Sequence, residues 1–389
     1  MIAKLPVIRP AVTLGEVCFS LRSAGRPQAR EALASSIRRR YAAEDVLLTD
    51  SGLSAFYLIL LALKKDPGKN EVILPAYTAG SLIVAIRKAG LVPVLCDISL
   101  EDFNMDSGAA LRLVNDRTLA VLAVHMFGIP HKGIESLRSR LASDVFLIED
   151  CCQAMGSMVN ARQVGSFSHV SFHSFNRGKN LPFLGGGCIV SPDRSMAALV
   201  RGQEKLLQER GVFSAAGLFA KMAASVIASR PLVYGSAHAL LRCFKENAPP
   251  DDFSPGGMNC IQAGLGIQVF RRCDEIFRQR HSIGMKMLAG PKRVAGLRLP
   301  GIRETDAACF NRMPVLCAEP AQVKVKQAAL WKAGIESSPM YGKPLHMMFD
   351  LPAGAVPNAE YLASRLLTLP VYPGLGAADI DRICEVMKQ

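Results

Sequence analysis

Apolar residues recur in two rhythms along this chain of 389 residues. Leu53–Leu63 is apolar at helical spacing behind Asp50-Ser51-Gly52, a helix-start signal, and follows a short apolar strand at Asp45–Leu48. Strand Glu71–Leu74 comes next and stops at Pro75, then a helix Gly80–Lys88 that ends near Gly90, and strand Pro93–Cys96. A helix from about Gly108, strand Leu119–His125, a helix from about Gly133 and strand Val145–Glu149 continue the alternation. Short continuous apolar runs separated by helices predict an α/β fold with a mostly parallel sheet covered on both faces. Such sheets bind ligands at the carboxyl ends of their strands. After Lys179, Gly185-Gly186-Gly187 predicts a turn into one more strand. From about Gly256 the style changes. One long charged helix is expected from near Gln262 to Met287, then a strand near Met313–Cys317 and a helix from about Ala321. A short strand at Ile335–Ser338 and a final helix from Ala378 complete the pattern. The change predicts a large domain over 1–255 and a smaller α+β domain over 256–389.

Composition narrows the class. Half the residues are apolar, which excludes disorder, and charges interrupt every apolar stretch before the ~18 residues of a spanning helix. Eleven cysteines, without C-x-x-C spacing and with Cys151 and Cys152 adjacent, predict reduced thiols and a cytoplasmic protein. No signal peptide is expected from the N-terminal residues. The net charge of +13 is unevenly placed. Residues 1–40 hold eight basic side chains against two acidic ones, and residues 201–245 hold seven against two, so the remainder is nearly neutral. Low aromatic content and the lack of a recognised module argue against nucleic-acid binding. The seven histidines show no metal spacing, so no metal site is expected.

Candidate chemistry concentrates between Asp150 and Lys179. Asp150 ends an apolar strand and so lies at the ligand-binding edge of the sheet. Lys179 sits in a polar turn before the glycine-rich stretch, where a desolvated amine can attack a carbonyl. Asp50-Ser51-Gly52-Leu53-Ser54 opens a helix directly after a strand. Its free amides make a phosphate seat, which glycine lets a ligand approach closely. A phosphate seat, a Schiff-base lysine and a carboxylate that keeps a pyridine nitrogen protonated are what pyridoxal 5'-phosphate (PLP) requires.

Further motifs accompany these residues. They include Pro75-Ala76-Tyr77-Thr78, Phe103-Asn104-Met105-Asp106, Glu149-Asp150-Cys151-Cys152-Gln153-Ala154, Ser174-Phe175 followed by Lys179-Asn180-Leu181, and Leu369-Pro370-Val371-Tyr372-Pro373. In them the chain resembles the DegT/StrS family of PLP-dependent aminotransferases, over about Leu48 to the C-terminus. The resemblance implies fold type I, with Lys179 as the lysine that binds PLP covalently and Asp150 as the partner of the pyridine nitrogen. It implies Gln153 beside the ring hydroxyl, and Ser174 with Gly52, Leu53 and Ser54 as the phosphate seat. Tyr341 and His346 are implied near the substrate. Expected partners are an amino-acid donor (glutamate), a nucleotide- or lipid-linked keto-sugar acceptor, and a second subunit completing each site. Lys179 also separates the chain from the branch of the family that replaces lysine by histidine and dehydrates sugars.

The sequence departs from the family at several places. Leu53 stands for the usual Thr, and Ala79 for the aromatic residue that stacks on the cofactor, with Tyr77 expected to point away. Pro255-Gly256-Gly257 replaces an Asn-aromatic-Arg stretch, and Gly185 replaces a Glu. Another PLP reaction (dehydration, decarboxylation or condensation) and a non-catalytic PLP-fold protein therefore stand as alternatives. Cys151 and Cys152 are expected to be packing residues, and His125 and His173 structural ones. In 201–245, Leu218, Phe219, Met222, Val226 and Ile227 share a helical face. That segment reads as a contact with an anionic membrane surface, as a lid over substrate phosphates, or as helices packed on the partner subunit.

Overall fold

Where the chain reverses after each strand decides the sheet. The computed structural model describes residues 4–209, 212–235, 250–290, 296–352 and 354–389. Five strands, β1 Asp45–Thr49, β2 Glu71–Pro75, β3 Val92–Cys96, β4 Thr118–Val124 and β5 Phe146–Asp150, precede a small hairpin of β6 Met158–Val159 and β7 Arg162–Gln163. Strands β8 Val170–Ser174 and β9 Gly187–Ser191 complete a seven-stranded sheet in the order β1-β9-β8-β5-β4-β2-β3. Helical crossovers keep β2, β3, β4 and β5 parallel, and the connection that carries the β6–β7 hairpin returns the chain to enter β8 parallel to β5. The short β8–β9 connection carries Lys179 and turns straight back, so β9 runs antiparallel to both β8 and β1. Gly185 and Gly186, with φ of 147° and 93°, make that reversal at backbone angles suited to glycine.

The pleat sorts side chains to two cores. Leu74, Leu122, Ile148 and Phe172 face one cluster, and Ile73, Val121 and Leu147 the other. By the same alternation Asp150 and Ser174 share the first face, while Glu149 and His173 point to the opposite one. Helices α1 Leu14–Ser20 and α2 Gln28–Tyr41 lie against a helix at Cys260–Phe270, in a third apolar cluster. Helix α3 Gly52–Leu63 packs on β8 and β9. A second sheet, with β10 Leu297–Arg298, β11 Arg312–Cys317 and β12 Leu366–Pro370, is antiparallel throughout.

Three expectations need correction. The long helix from Gln262 to Met287 is two helices, Cys260–Phe270 and Cys273–Ala289. At the break Arg272 turns back onto Glu16, at 2.8 and 2.9 Å, and onto the Ala11 carbonyl. Ile335–Ser338 is not a strand, because its two ends serve different partners through single bridges, Ile335 to Leu5 and Ser338 to Thr368. The apolar face expected in 201–245 is also largely occupied. On helix Val212–Ala228, Met222 and Val226 are buried in a cluster with Val17 of α1, and Leu218 and Phe219 pack at its edge. Only Ile227 of that face is exposed, and positions 210, 211 and 236–245 of the segment lie outside the described residues. Among the described residues no helix is long and apolar enough to cross a membrane.

The face of the sheet opposite Asp150 is polar at one point. Glu149 is fully buried and accepts hydrogen bonds from His125 Nε2 and from the amides of Gly165, Phe167 and Ser168, at 2.7–3.0 Å. His173 lies 5.0 Å from the Tyr41 ring, and neither of its ring nitrogens has a hydrogen-bond partner. Burial pushes the His173 imidazole down to about 3, with Glu149 opposing and His125 adding to the shift. Folded His173 therefore stays neutral, while the unfolded chain takes up a proton below about pH 6.5. The stability it contributes above that pH should fall by about 1.4 kcal/mol per unit as pH drops toward 3. Urea unfolding at pH 7 and pH 5 should show a smaller pH difference for His173→Phe than for the natural chain. An unchanged difference would rule this account out.

Candidate active site

The site begins at a helix start wedged between strand ends. Ser51 caps α3 from an extended conformation, and its Oγ accepts the Ser54 amide at 3.1 Å. Gly52 follows, in close contact with its neighbours. A Cβ added there would lie 2.9 Å from Ser174 Cβ and 3.0 Å from Cys152 Sγ. Gly187 closes the seam from the other side, where a Cβ would meet the backbone of Ser51 and Gly52 at 2.5–2.6 Å. The first turn of α3, whose amides lack intrahelical acceptors, is thus held against Ser174 at the end of β8 and against Cys152, two residues beyond the end of β5. Leu53 packs on the apolar core and offers no hydroxyl. Ser54 is buried, and its Oγ donates to Asp50 Oδ1 at 2.6 Å and lies 3.0 Å from Ser51 Oγ, so its hydroxyl belongs to the cap.

Asp150 and Lys179 meet at this edge. Asp150 is buried and its Oδ1 accepts the Cys152 amide at 2.9 Å. Burial raises its carboxyl above the usual range, while Cys152, the Lys179 ammonium and His125 pull the other way. Lys179 is half-buried on a loop whose backbone is fixed from outside. Asn311 Nδ2 donates to the Gly178 carbonyl at 2.5 Å, and buried Arg280 donates to the carbonyls of Lys179 at 3.3 Å and Asn180 at 3.1 Å. The same guanidinium reaches the Phe310 carbonyl at 3.2 Å and the Val371 carbonyl at 2.7 Å. Burial lowers Arg280 to about 10, because carbonyls alone answer its charge.

Gln153 is buried with its Oε1 accepting the Phe127 amide at 3.1 Å. Tyr341, brought in from the C-terminal half, has Asp150, Cys152 and Gln153 as electrostatic neighbours of its hydroxyl, and burial raises that hydroxyl's pKa. Tyr77 is fully buried edge-on to Tyr341, 5.6 Å between ring centres, and its hydroxyl accepts the Tyr341 amide at 3.3 Å. His346 is not gathered with this group. Its Nε2 pairs with Glu360 at 3.2 Å, on a short helix, Leu345–Phe349, whose Leu345 amide bonds the Ala76 carbonyl.

The departures have local explanations. A side chain at position 185 would run into Gln262, whose Nε2 already occupies the place of a Cβ, so Gln262 fills the room that a Glu would need. Around Ala79, a Cβ on neighbouring Gly80 would already sit 3.0 Å from the Phe349 ring. Gly256 and Gly257 run beside the end of β1, where the Gly256 carbonyl accepts the Asp50 amide at 2.7 Å. Cys151 is fully buried packing, as expected, but Cys152 touches the seam and bonds Asp150. Sequence reasoning missed Cys152, Arg280 and Asn311. A place two residues after Asp150 is the one signal for Cys152. Arg280 is one of several charges on its helix, and only its burial distinguishes it.

The profile of the DegT/DnrJ/EryC1/StrS aminotransferase family matches residues 28–388. The chain belongs to that family. Its relatives include the erythromycin biosynthesis sensory transduction protein EryC1 of Saccharopolyspora erythraea, 27% identical over 87% of this chain and 83% of that protein. Another is a UDP-N-acetyl-3-dehydro-alpha-D-glucosamine 3-aminotransferase of Acidithiobacillus ferrooxidans, 29% identical over 87% of this chain and 82% of that one. Among solved structures, Helicobacter pylori PseC, an aminotransferase of pseudoaminic acid biosynthesis, superposes with a TM-score of 0.79 over 99% of this chain and 98% of that one, at 17% identity. As a DegT/StrS-family member with the fold type I architecture, the chain is a PLP-dependent aminotransferase. Its residues fit that cofactor. The first turn of α3 has amides without intrahelical acceptors, a lysine stands at the same edge, and burial raises a carboxylate there. If the seam holds the cofactor, Gly52→Ala should weaken PLP retention at least about tenfold, because the added methyl forces Ser174 or Cys152 to shift at the helix start. Dialysis followed by absorbance measures this. Full retention of PLP by the variant would remove the seam from the cofactor's site.

Proposed function

We propose that the chain transfers an amino group from an amino acid, glutamate, to the keto group of a nucleotide-linked sugar. The observation that carries this reading is the meeting of Asp150, Lys179 and the Gly52–Ser174 seam at one sheet edge. Relatives named for UDP- and GDP-sugar chemistry support the acceptor class. A lipid-linked acceptor at an anionic membrane surface is the second reading, favoured by exposed Ile227, Leu232 and Val233 beside Arg230.

When bound, PLP supplies an electron sink for the charge that develops at the donor carbon. The chain's own groups do the rest. The α3 start and Ser174 would hold the phosphate, and Lys179 Nζ would hold the cofactor covalently and later carry a proton to and from the reacting carbon. Asp150, ionised opposite a ring cation, would keep the pyridine nitrogen protonated, and Gln153 would bond the ring hydroxyl. We also propose that 1–255 forms the cofactor-binding region and 256–389 the smaller one. The protein would work as a cytoplasmic homodimer whose second subunit completes each site. The family's cross-subunit asparagine contact has no counterpart at Pro255-Gly256-Gly257.

Lys179→Ala should purify colourless, release PLP on dialysis and leave no borohydride-trapped cofactor on the chain. Asp150→Asn should keep the trapped cofactor but lose about two orders of magnitude or more in turnover, since a neutral amide cannot stabilise the ring cation. A natural protein in which borohydride fixes no cofactor at Lys179 would sink the assignment.

A further inference from the structure

One guanidinium beside the site forms no ion pair among the described residues. Arg312 opens β11 directly after Asn311, the residue that holds the Gly178 carbonyl next to Lys179. Its Nη1 reaches Thr368 Oγ1 only at 3.4 Å, and its Nε is out of solvent without a hydrogen-bond partner. Among the described residues no Asp or Glu comes within salt-bridge distance of it. The charged and polar groups around it are Tyr341, Glu336, Tyr77 and Arg177. The Glu336 carboxylate is engaged by the Val7 amide at 2.8 Å and the Tyr234 hydroxyl at 2.6 Å. Burial lowers the Arg312 pKa more than these neighbours raise it. The cation is therefore incompletely compensated, yet the residue keeps part of its surface open. Tyr341 links it to the reacting edge, because its hydroxyl also has Asp150 and Gln153 as neighbours.

We propose that Arg312 binds the α-carboxylate of the amino donor. The inference rests on the PLP aminotransferase reading above and assigns a residue to its donor half. An arginine fork matches a carboxylate in a plane with two parallel hydrogen bonds, and unpaired Nε is one of the two edges such a pair uses. A nucleotide diphosphate carries more charge, and a single half-buried guanidinium answers it poorly. The α-carboxylate is one carbon from the reacting amine, so it has to enter beside Lys179 and Asp150. There it supplies the missing counter-ion.

The test uses the PLP-loaded protein without acceptor, following the absorbance change as L-glutamate or 4-aminobutyrate donates its amine. The second donor has the same chain without the α-carboxylate. Arg312→Gln should raise the half-saturating glutamate concentration about 30- to 1000-fold, the loss typical of a broken buried charge pair, and leave 4-aminobutyrate unchanged. Calorimetric binding of glutarate, which cannot react, should weaken in the same variant. Arg312→Lys should fall between, and it carries the comparison if the glutamine variant does not fold. Equal losses for both donors, or an unchanged half-saturating glutamate concentration, would overturn the proposal. Borohydride trapping of cofactor in both variants separates this failure from failure of the PLP reading itself.

Discussion

The seam between α3 and the sheet sets the terms for everything else. Gly52 and Gly187 face each other across it, and neither position has room for a Cβ. That approach places the helix start, rather than a side chain, against Ser174 and Cys152. An anion bound there, as proposed, would be met by backbone amides and by the positive end of α3, which need no reorganisation when it arrives. The lack of a hydroxyl at Leu53 would matter less in such a seat than in one built from side chains.

Period-two alternation explains why two adjacent carboxylates take unrelated parts. Burial alone would raise Glu149, but His125 and the surrounding amides overcome it and hold the carboxyl below its usual range. It is saturated with donors and anchors the Gly165–Ser168 turn. Asp150, one pleat over, keeps a raised carboxyl and one amide donor. The same rule separates Ser174 at the seam from His173 beneath the sheet. Strand geometry alone divides reactive from structural polarity within Glu149-Asp150 and within His173-Ser174.

Much of this was legible in the chain. The apolar runs of β2, β4 and β5 and the helix start at Asp50-Ser51-Gly52 are local patterns, and they lie where periodicity put them. Lys179 and Asp150 could be found because their positions relative to strands and glycines are local too. Arg280, Arg312 and Asn311 could not, since what distinguishes them is burial and a carbonyl or an uncompensated charge set by residues far away in the chain. The break between Cys260–Phe270 and Cys273–Ala289 was hidden for the same reason. Its stabilising contact is with Glu16, and nothing around Arg271-Arg272 announces it. Leu366–Pro370 does not stand out as a strand because it follows the helix Pro357–Arg365 with no intervening turn signal.

The clamp around Arg280 has a bearing on how the protein comes into being. It ties the carbonyl of Lys179 to that of Val371 through one guanidinium. All seven strands of the large sheet have been synthesised once Ser191 has been added. The lysine loop at its edge still lacks its fasteners, which come from Arg280, then Asn311, then Val371. Competence for the cofactor is thus a late property of the nascent chain. A half-made chain can therefore hold every strand of the sheet while the loop of Lys179 still lacks these contacts.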